Sequence, residues 1–429
     1  MRILSSAQAC GFGPVSKLTA ITALFPDDDV DFIGQELSLD FAHRHRHRFG
    51  EITHGDTSRW EDLDEGLRSA DLVLSVMDAE LVFWAVRARV PVLFFDSLLA
   101  FWLCGRSMRE LAARAELVRS ASLETARVVY EELAPHERIM LAHLLARRSY
   151  AQNFPGVPER IAEFTAVGAD HVELCGPIID FTELRASLDS APPERPAGLL
   201  VNLGGFQNFF LDYDSHNAYL AMLERWVRDV AARNPDLGRI LVCCGAYGEA
   251  VTERVGEVDV EFTFLPHGDF LRHLAHTPLY AVPPSLTSLH EAVVVGRMPL
   301  LLPEQHYGHI ANQRALGDTT VGRMSASLQL LDERFDVPED DLEGTRELDR
   351  QTRELLGDEG GYATVRGHMD ARLDTYRNLT AAARGTAIRE VGELLGGPSL
   401  ADLLDASAVD GLLAAPGAAF PSLAGRVND

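Results

Sequence analysis

One stretch limits the fold of this chain more than any other: residues 281–313, AVPPSLTSLHEAVVVGRMPLLLPEQHYGHIANQ. It reads as strand, turn, helix, strand and loop. Tyr280–Val282 closes an apolar run, and Pro283-Pro284 breaks it. Ser285, Thr287 and Ser288 then place hydroxyls and backbone N–H groups where a helix begins. Leu289, Ala292, Val293 and Val295 give the helix an apolar face; Gly296 stops it, and Met298–Leu302 reads as the next buried strand. A helix N-terminus after a parallel strand favours an anion, because its N–H groups lack intrahelical partners and its dipole is positive there. Glu291 lies one to two turns into the helix, where a carboxylate can accept two hydrogen bonds from a ribose diol. Pro303-Glu304-Gln305-His306 supplies polar groups where a parallel strand delivers them to a crevice.

The 429 residues are two to three times a usual domain, so two domains are expected. With 46 % hydrophobic residues there is enough apolar material for sizeable cores, and a net charge of −25 excludes the basic surface that nucleic acid requires. An acidic chain that takes an anionic ligand must use local donors. Five cysteines without a pairing pattern suggest a reducing cytoplasm, and the adjacent Cys243 and Cys244 fall in an apolar strand, as core. No apolar run reaches membrane-spanning length, and Met1–Leu4 enters a strand. Of 39 Lys and Arg, one is lysine, Lys17.

Along the chain, Met1–Ser6 is the first strand. Residues 8–17, QACGFGPVSK, form a glycine-containing loop into a helix, with Lys17 one turn in, placed to reach a carboxylate or phosphate. The run HRHRHR over 43–48 reads as a solvated basic loop. On a strand, its alternate histidines could share a face and bind metal. Strands over 71–76 and 90–95 end in Asp78, Glu80 and Asp96. Carboxylates at parallel-strand C-termini are the best placed for acid–base work, Asp96 first. Phe101 and Trp102 could wall a flat acceptor. Residues 107–149 read as a helical insertion divided at Pro135, and DSAPPER over 189–195 as a linker. The expected domains are therefore 1–190, 197–360, and a helical segment and tail over 361–429. After the linker, a strand runs into Gly204-Gly205-Phe206, where backbone amides can approach a phosphate.

The 281–313 stretch resembles the donor-binding motif of GT-B glycosyltransferases, most closely UDP-glycosyltransferases and the N-acetylglucosaminyltransferase that makes lipid II. Ser285, Ser288, Glu291 and Gln305 match that motif, with Asn312 near its trailing Asn; Ser285 stands where the family usually has Gly. The resemblance implies an α/β GT-B fold: two Rossmann-like domains with a cleft between them, and a C-terminal helix crossing back. It implies a pyrophosphate on the Ser285–Ser288 turn, with Thr287 and the Gly204–Phe206 loop. The ribose would lie on Glu291, the sugar on Glu304 and Gln305, and the nucleobase against Phe264, Leu265 and His267. The acceptor would meet Gln8, Gly13, Asp78, Glu80, Phe101 and Trp102 of the first domain. Where the family often carries a catalytic His in the first loop, this chain reads Gly13-Pro14. No D-x-D stands where a metal-dependent enzyme needs one, so neither metal nor cofactor is expected beyond the UDP-sugar co-substrate. GFGPVSK, FFDSLLAFW and NLGGF further resemble cytosylglucuronate synthases and relatives in nucleoside-antibiotic pathways, implying UDP-glucuronate and a cytosine acceptor. The expected partners are thus a UDP-sugar and a small acceptor, with a homodimer compatible. A UDP-sugar 2-epimerase using Glu304 and His306 shares the architecture and is the second reading.

Overall fold

A computed structural model describes residues 1–203, 217–244, 250–357 and 359–404 of the chain. It divides into two compact units: 1–180 with 395 onward, and 181–394.

The first unit is built on a seven-stranded sheet. Its strands are β1 (Arg2–Ala7), β2 (Asp29–Gly34), β3 (Ile52–His54), β4 (Leu72–Val76), β5 (Val92–Asp96), β6 (Arg148–Gln152) and β7 (Val172–Cys175). They lie in the order β3-β2-β1-β4-β5-β6-β7. Every pairing is parallel. All residues of β4 and β5 are buried. Helices cover both faces of such a sheet, which is why these strands are continuous apolar runs and do not alternate.

The second unit repeats the plan with β8 (Leu199–Asn202), β9 (Arg239–Cys243), β10 (Val251–Val255), β11 (Val258–Thr263), β12 (Leu279–Val282) and β13 (Pro299–Leu301). The order is β10-β11-β9-β8-β12-β13. Only the β10–β11 pair is antiparallel. That hairpin was not anticipated from the sequence, because β10, VTERV, is polar and largely exposed, as a sheet edge is. In both sheets the chain first winds one way from its opening strand and then returns to that strand's other side. The chain is thus α/β and doubly wound in each unit.

Several expected elements shift. Residues 107–149 form the helices Met108–Ser120, Leu123–Glu131 and Pro135–Leu145, but Arg148 and Ser149 already belong to β6. A capping box of Ser107 with Glu110 starts the first of them, and Pro135 opens the third at its first turn. HRHRHR is neither strand nor loop: it ends the helix Glu36–Arg44 and runs through a single 3-10 turn. His45 is buried, its ring stacked on Phe41 at 4.1 Å, while His43 and His47 are exposed. The three rings therefore do not share a face. Cys243 and Cys244 are both buried. Helix Phe181–Asp189 lies in the second unit, where Ser187 Oγ donates to the Gly268 carbonyl at 3.1 Å. The division between units thus falls nine residues before the Pro-rich stretch. The helical segment expected over 362–395 is formed by two helices, Glu359–Asn378 and Ala381–Leu395. Tyr376 of the first fixes it to the second sheet, donating to Met298 O at 2.6 Å and accepting from Tyr280 N at 3.2 Å.

Residues 396–404 belong to the first unit. Gly176 N donates to Pro398 O at 2.7 Å, and Asn153 Nδ2 donates to Gly396 O. The contact is backbone on backbone. A Cβ on Gly397 would lie 2.9 Å from Gly176 N, and one on Gly176 would lie 2.7 Å from Gly397 O. Either glycine changed to alanine is expected to cost about 1–3 kcal/mol through overpacking. Hydrogen exchange should show faster exchange over 396–404; unchanged protection in Gly397→Ala would refute the close approach.

Candidate functional site

Ligands of doubly wound sheets bind beyond the strand C-termini where the winding reverses. In the second unit that point lies between β8 and β12. Asn202 ends β8, and Ser285–Glu291 follows β12. The two sides meet directly: Asn202 Nδ2 donates to Ser288 Oγ at 3.3 Å. Tyr280, wholly buried on β12, turns its hydroxyl toward the same pair but outside hydrogen-bonding geometry.

Pro283-Pro284 stops β12, and Ser285 at the N-cap, in extended backbone, opens the helix Leu286–Val295. Gly296 closes it at φ 71°, a left-handed cap that favours glycine. The Ser285 side chain makes no cap bond to this N-terminus. Asn312 Nδ2 holds the turn from outside, donating to Pro284 O at 2.8 Å. Ser285 and Thr287 are half-buried, and Ser288 is buried. This leaves a helix start with a positive dipole end and hydroxyls at the switch point.

Glu291 is buried on the same helix, and His267 is its partner, Nε2 lying 2.8 Å from Glu291 Oε1. On the other side of the ring, Nδ1 lies 3.6 Å from Glu183 Oε2. Burial opposes a charge on this imidazole, but the bonds to Glu183 and Glu291 outweigh it and raise its pKa to about 10. His267 is therefore imidazolium at neutral pH. Two carboxylates and one cation leave a net charge of −1, not −2, beside the helix N-terminus. Glu291 Oε2 has no hydrogen-bond partner among the described residues and is the oxygen left for a ligand hydroxyl.

The other second-unit residues are placed differently. Phe264 and Leu265 are half-buried just past β11. Gln305 is buried beside His309, whose Nδ1 accepts from Gln305 N at 3.4 Å. Glu304 is 1 % exposed, and its Oε2 accepts from Leu328 N at 2.8 Å. Burial raises its pKa. This carboxylate braces the Leu328–Leu330 turn and is not presented to a sugar, a correction to its expected role. Gly204, Gly205 and Phe206 lie outside the described residues.

In the first unit the winding reverses between β1 and β4. Ser6 of β1 donates to Asp78 Oδ2 at 2.7 Å, and Gln8 N donates to Val76 O at 3.0 Å. Asp78 is also the N-cap of helix Ala79–Ala88, accepting from Leu81 N at 3.1 Å. Burial raises the pKa of Asp78, and likewise that of Glu80, where Arg138 opposes the rise. Gln8 and Gly13 are half-buried in the first loop and the helix after it, so Gln8, Asp78 and Glu80 gather at one end of the sheet.

Asp96 and Trp102 do not stand where the sequence suggested. Asp96 is fully buried. Its Oδ1 accepts from Leu98 N at 2.6 Å, and its Oδ2 meets Trp102 Nε1 at 2.6 Å and His143 Nε2 at 2.9 Å. His143 Nδ1 in turn lies 2.7 Å from Ser149 Oγ. A carboxylate so engaged orders β5, β6 and the insertion and has no open face for a substrate proton. Trp102, 4 % exposed, belongs to this network and is not a free wall; Phe101 packs edge-on against it at 5.4 Å. Lys17 is 2 % exposed. Burial pushes the Cys175 thiol up to about 12, and Lys17 works against that rise.

Sequence reading missed Asn202, Glu183 and His143. A polar residue ending an apolar strand was signal enough for Asn202. Glu183 precedes His267 by 84 positions on a surface-patterned helix, and nothing local marks it. His143 sits inside an apolar helix, where a lone histidine carries no signal.

No family model matches the chain, and no curated protein matches it. Solved structures similar to it include the spinosyn forosaminyltransferase SpnP, at 14 % identity and a TM-score of 0.47, covering 96 % of this chain and 99 % of that one. LpCGTa in complex with UDP is similar at 13 % identity and a TM-score of 0.45, covering 91 % and 97 %. Arabidopsis thaliana UGT89C1 complexed with UDP-L-rhamnose is similar at 14 % identity and a TM-score of 0.40, covering 92 % and 99 %.

The charged clamp has a pH signature. The pKa of His267 in the folded chain lies above its ordinary 6.5. The stability it contributes is thus complete below pH 6.5, falls as pH rises, and is gone above pH 10. NMR of the ring should give a midpoint near 10 in the wild type, and a lower one in Glu183→Gln; a midpoint near 6.5 in the wild type would dismiss the clamp.

Asp96→Asn leaves one neutral oxygen for three donors. It should lower stability to urea by about 1.5–3 kcal/mol. An unchanged unfolding midpoint would contradict the buried-anchor role.

Proposed function

We propose that this chain is a GT-B glycosyltransferase that binds a UDP-sugar on its second unit and transfers the sugar to a small acceptor held by the first. The observation that carries the reading is the Ser285–Glu291 helix start at the β8–β12 switch point. There a helix N-terminus, the hydroxyls of Ser285 and Ser288, and a buried carboxylate lie within two helical turns. The first part suits a diphosphate and the last a ribose diol, at the spacing of one nucleotide. The imidazolium of His267 offsets one of the two carboxylate charges beside this helix start.

In this reading the leaving diphosphate is stabilised by helix amides and hydroxyls, without a divalent ion and with inversion at the sugar carbon. UDP-glucuronate as donor, and cytosine or a substituted cytosine as acceptor, rest on the motif resemblance alone. A pyrimidine nitrogen needs less deprotonation than a sugar hydroxyl, which suits a first loop with Pro14 and a buried Asp96. Asp78 and Glu80 are then the carboxylates nearest the acceptor end of the first sheet. The epimerase reading requires Glu304 and His306 together on the sugar, and Glu304 is turned inward onto Leu328 N.

Calorimetric titration with UDP in EDTA tests this site. The wild type should bind, and Glu291→Gln should weaken binding by about 1.5–3 kcal/mol, the scale of a hydrogen bond to a charged group. Product analysis with UDP-glucuronate, alone and then with cytosine, identifies the reaction. No UDP binding in EDTA, or equal binding by a folded Glu291→Gln, would defeat the assignment.

A further inference from the structure

We propose that the first unit carries a binding site for a small planar aromatic anion, in the cavity between the helices Ala79–Ala88, Leu123–Glu131 and Pro135–Leu145 and the loop before Trp60. The cavity measures about 350 Å³, within the range of small-molecule sites. It is enclosed by elements of the first unit alone.

Two aromatic rings line it, each with a guanidinium over its face: Arg127 lies 6.0 Å from the Trp84 ring and Arg138 5.0 Å from the Tyr130 ring. Trp84 is 5 % exposed, and its orientation is fixed because Nε1 donates to Ser58 O at 3.2 Å. Tyr130 is 3 % exposed, and its hydroxyl has no hydrogen-bond partner. Burial raises the pKa of Tyr130 well above its ordinary value, and Glu80 adds to the rise from outside hydrogen-bonding geometry. A buried hydroxyl left in this state costs free energy that a ligand acceptor would recover.

The charges decide the ligand's sign. Arg138 donates to Glu80 at 2.9 Å, and Arg127 to Glu131 at 3.2 Å, so these four cancel. Arg59 also lines the cavity and is exposed at its edge; it has no ion-pair partner among the described residues. The lining therefore carries one unmatched positive charge, in a chain of net charge −25. Planar guanidiniums stacked over aromatic rings, one donor hydroxyl and one unmatched guanidinium fit a ring that bears a carboxylate or a similar anionic group. A neutral sugar needs many more polar contacts, and the remaining polar groups here are already paired with each other. The site does not depend on the transferase reading, and its occupancy is measured without donor.

The test is calorimetric titration of the full chain with 2-naphthoate and with its neutral counterpart 2-naphthamide. Saturable one-to-one binding of the acid is expected, with the amide weaker by about tenfold, as loss of a charge-assisted contact implies. Arg59→Gln, at an exposed position, should abolish the preference for the acid, and Tyr130→Phe should weaken both ligands by about three- to tenfold. UDP binding should be unchanged in both variants. No saturable binding of 2-naphthoate by the wild type, or binding that Arg59→Gln leaves unaltered, would overturn the proposal; should Tyr130→Phe fail to fold, Arg59→Gln decides alone.

Discussion

A parallel sheet covered on both faces leaves side chains few places to meet a ligand. Strand residues point into apolar layers, and polar groups reach a crevice only beyond the strand C-termini, where helices begin. Both units obey this constraint. Ser6, Asp78 and Gln8 gather where the first sheet reverses its winding. Asn202, Ser288 and Glu291 do so in the second. The candidate chemistry follows from strand order before any individual side chain is considered. Only the identity of the residues differs: the first crevice is lined by Asp78 and Glu80, the second by a helix start with Glu291.

The same constraint explains what could be read in the sequence. Continuous apolar runs such as LVLSV and VLFFD mark strands, and Pro283-Pro284 with Gly296 brackets a helix by backbone chemistry alone. These signals are local, and the α/β architecture is legible from them. The β10 strand escaped because an exposed edge lacks the apolar run that marks its neighbours. HRHRHR misled for a related reason. Its charge suggests a solvated loop, but the helix Glu36–Arg44 takes in its first two residues and Phe41 buries His45 by stacking.

Site residues were legible to the extent that their role is local. Ser285, Ser288 and Glu291 share one helix, and their spacing alone sets their neighbourhood. Asp96 was misplaced because its position after an apolar strand is shared by rim carboxylates and buried anchors. Trp102 and His143, which distinguish the two cases, lie 6 and 47 positions away. Lys17 shows the same limit. A rare residue type draws notice, but rarity does not say whether a side chain is exposed or, as here, buried. Glu183 reaches the site only through His267, so no motif centred on the ligand would include it.

How an acidic protein would hold the proposed diphosphate is the remaining physical question. With 64 Asp and Glu against 39 Lys and Arg, the long-range field repels a diphosphate. Most described arginines near carboxylates are already in ion pairs, for example Arg233 with Asp370 and Arg239 with Glu261. Attraction must then come from groups whose charge cannot be cancelled by a mobile neighbour. A helix dipole is one, being fixed in the backbone. The imidazolium between Glu183 and Glu291 lessens the local repulsion by offsetting one of the two carboxylates, but supplies no net positive charge. Within a few ångströms such fixed donors outweigh a diffuse field that salt screens over about 8–10 Å. Encounter with an anionic donor should consequently gain from added salt, which screens the repulsion, while the short-range contacts that hold it are little affected.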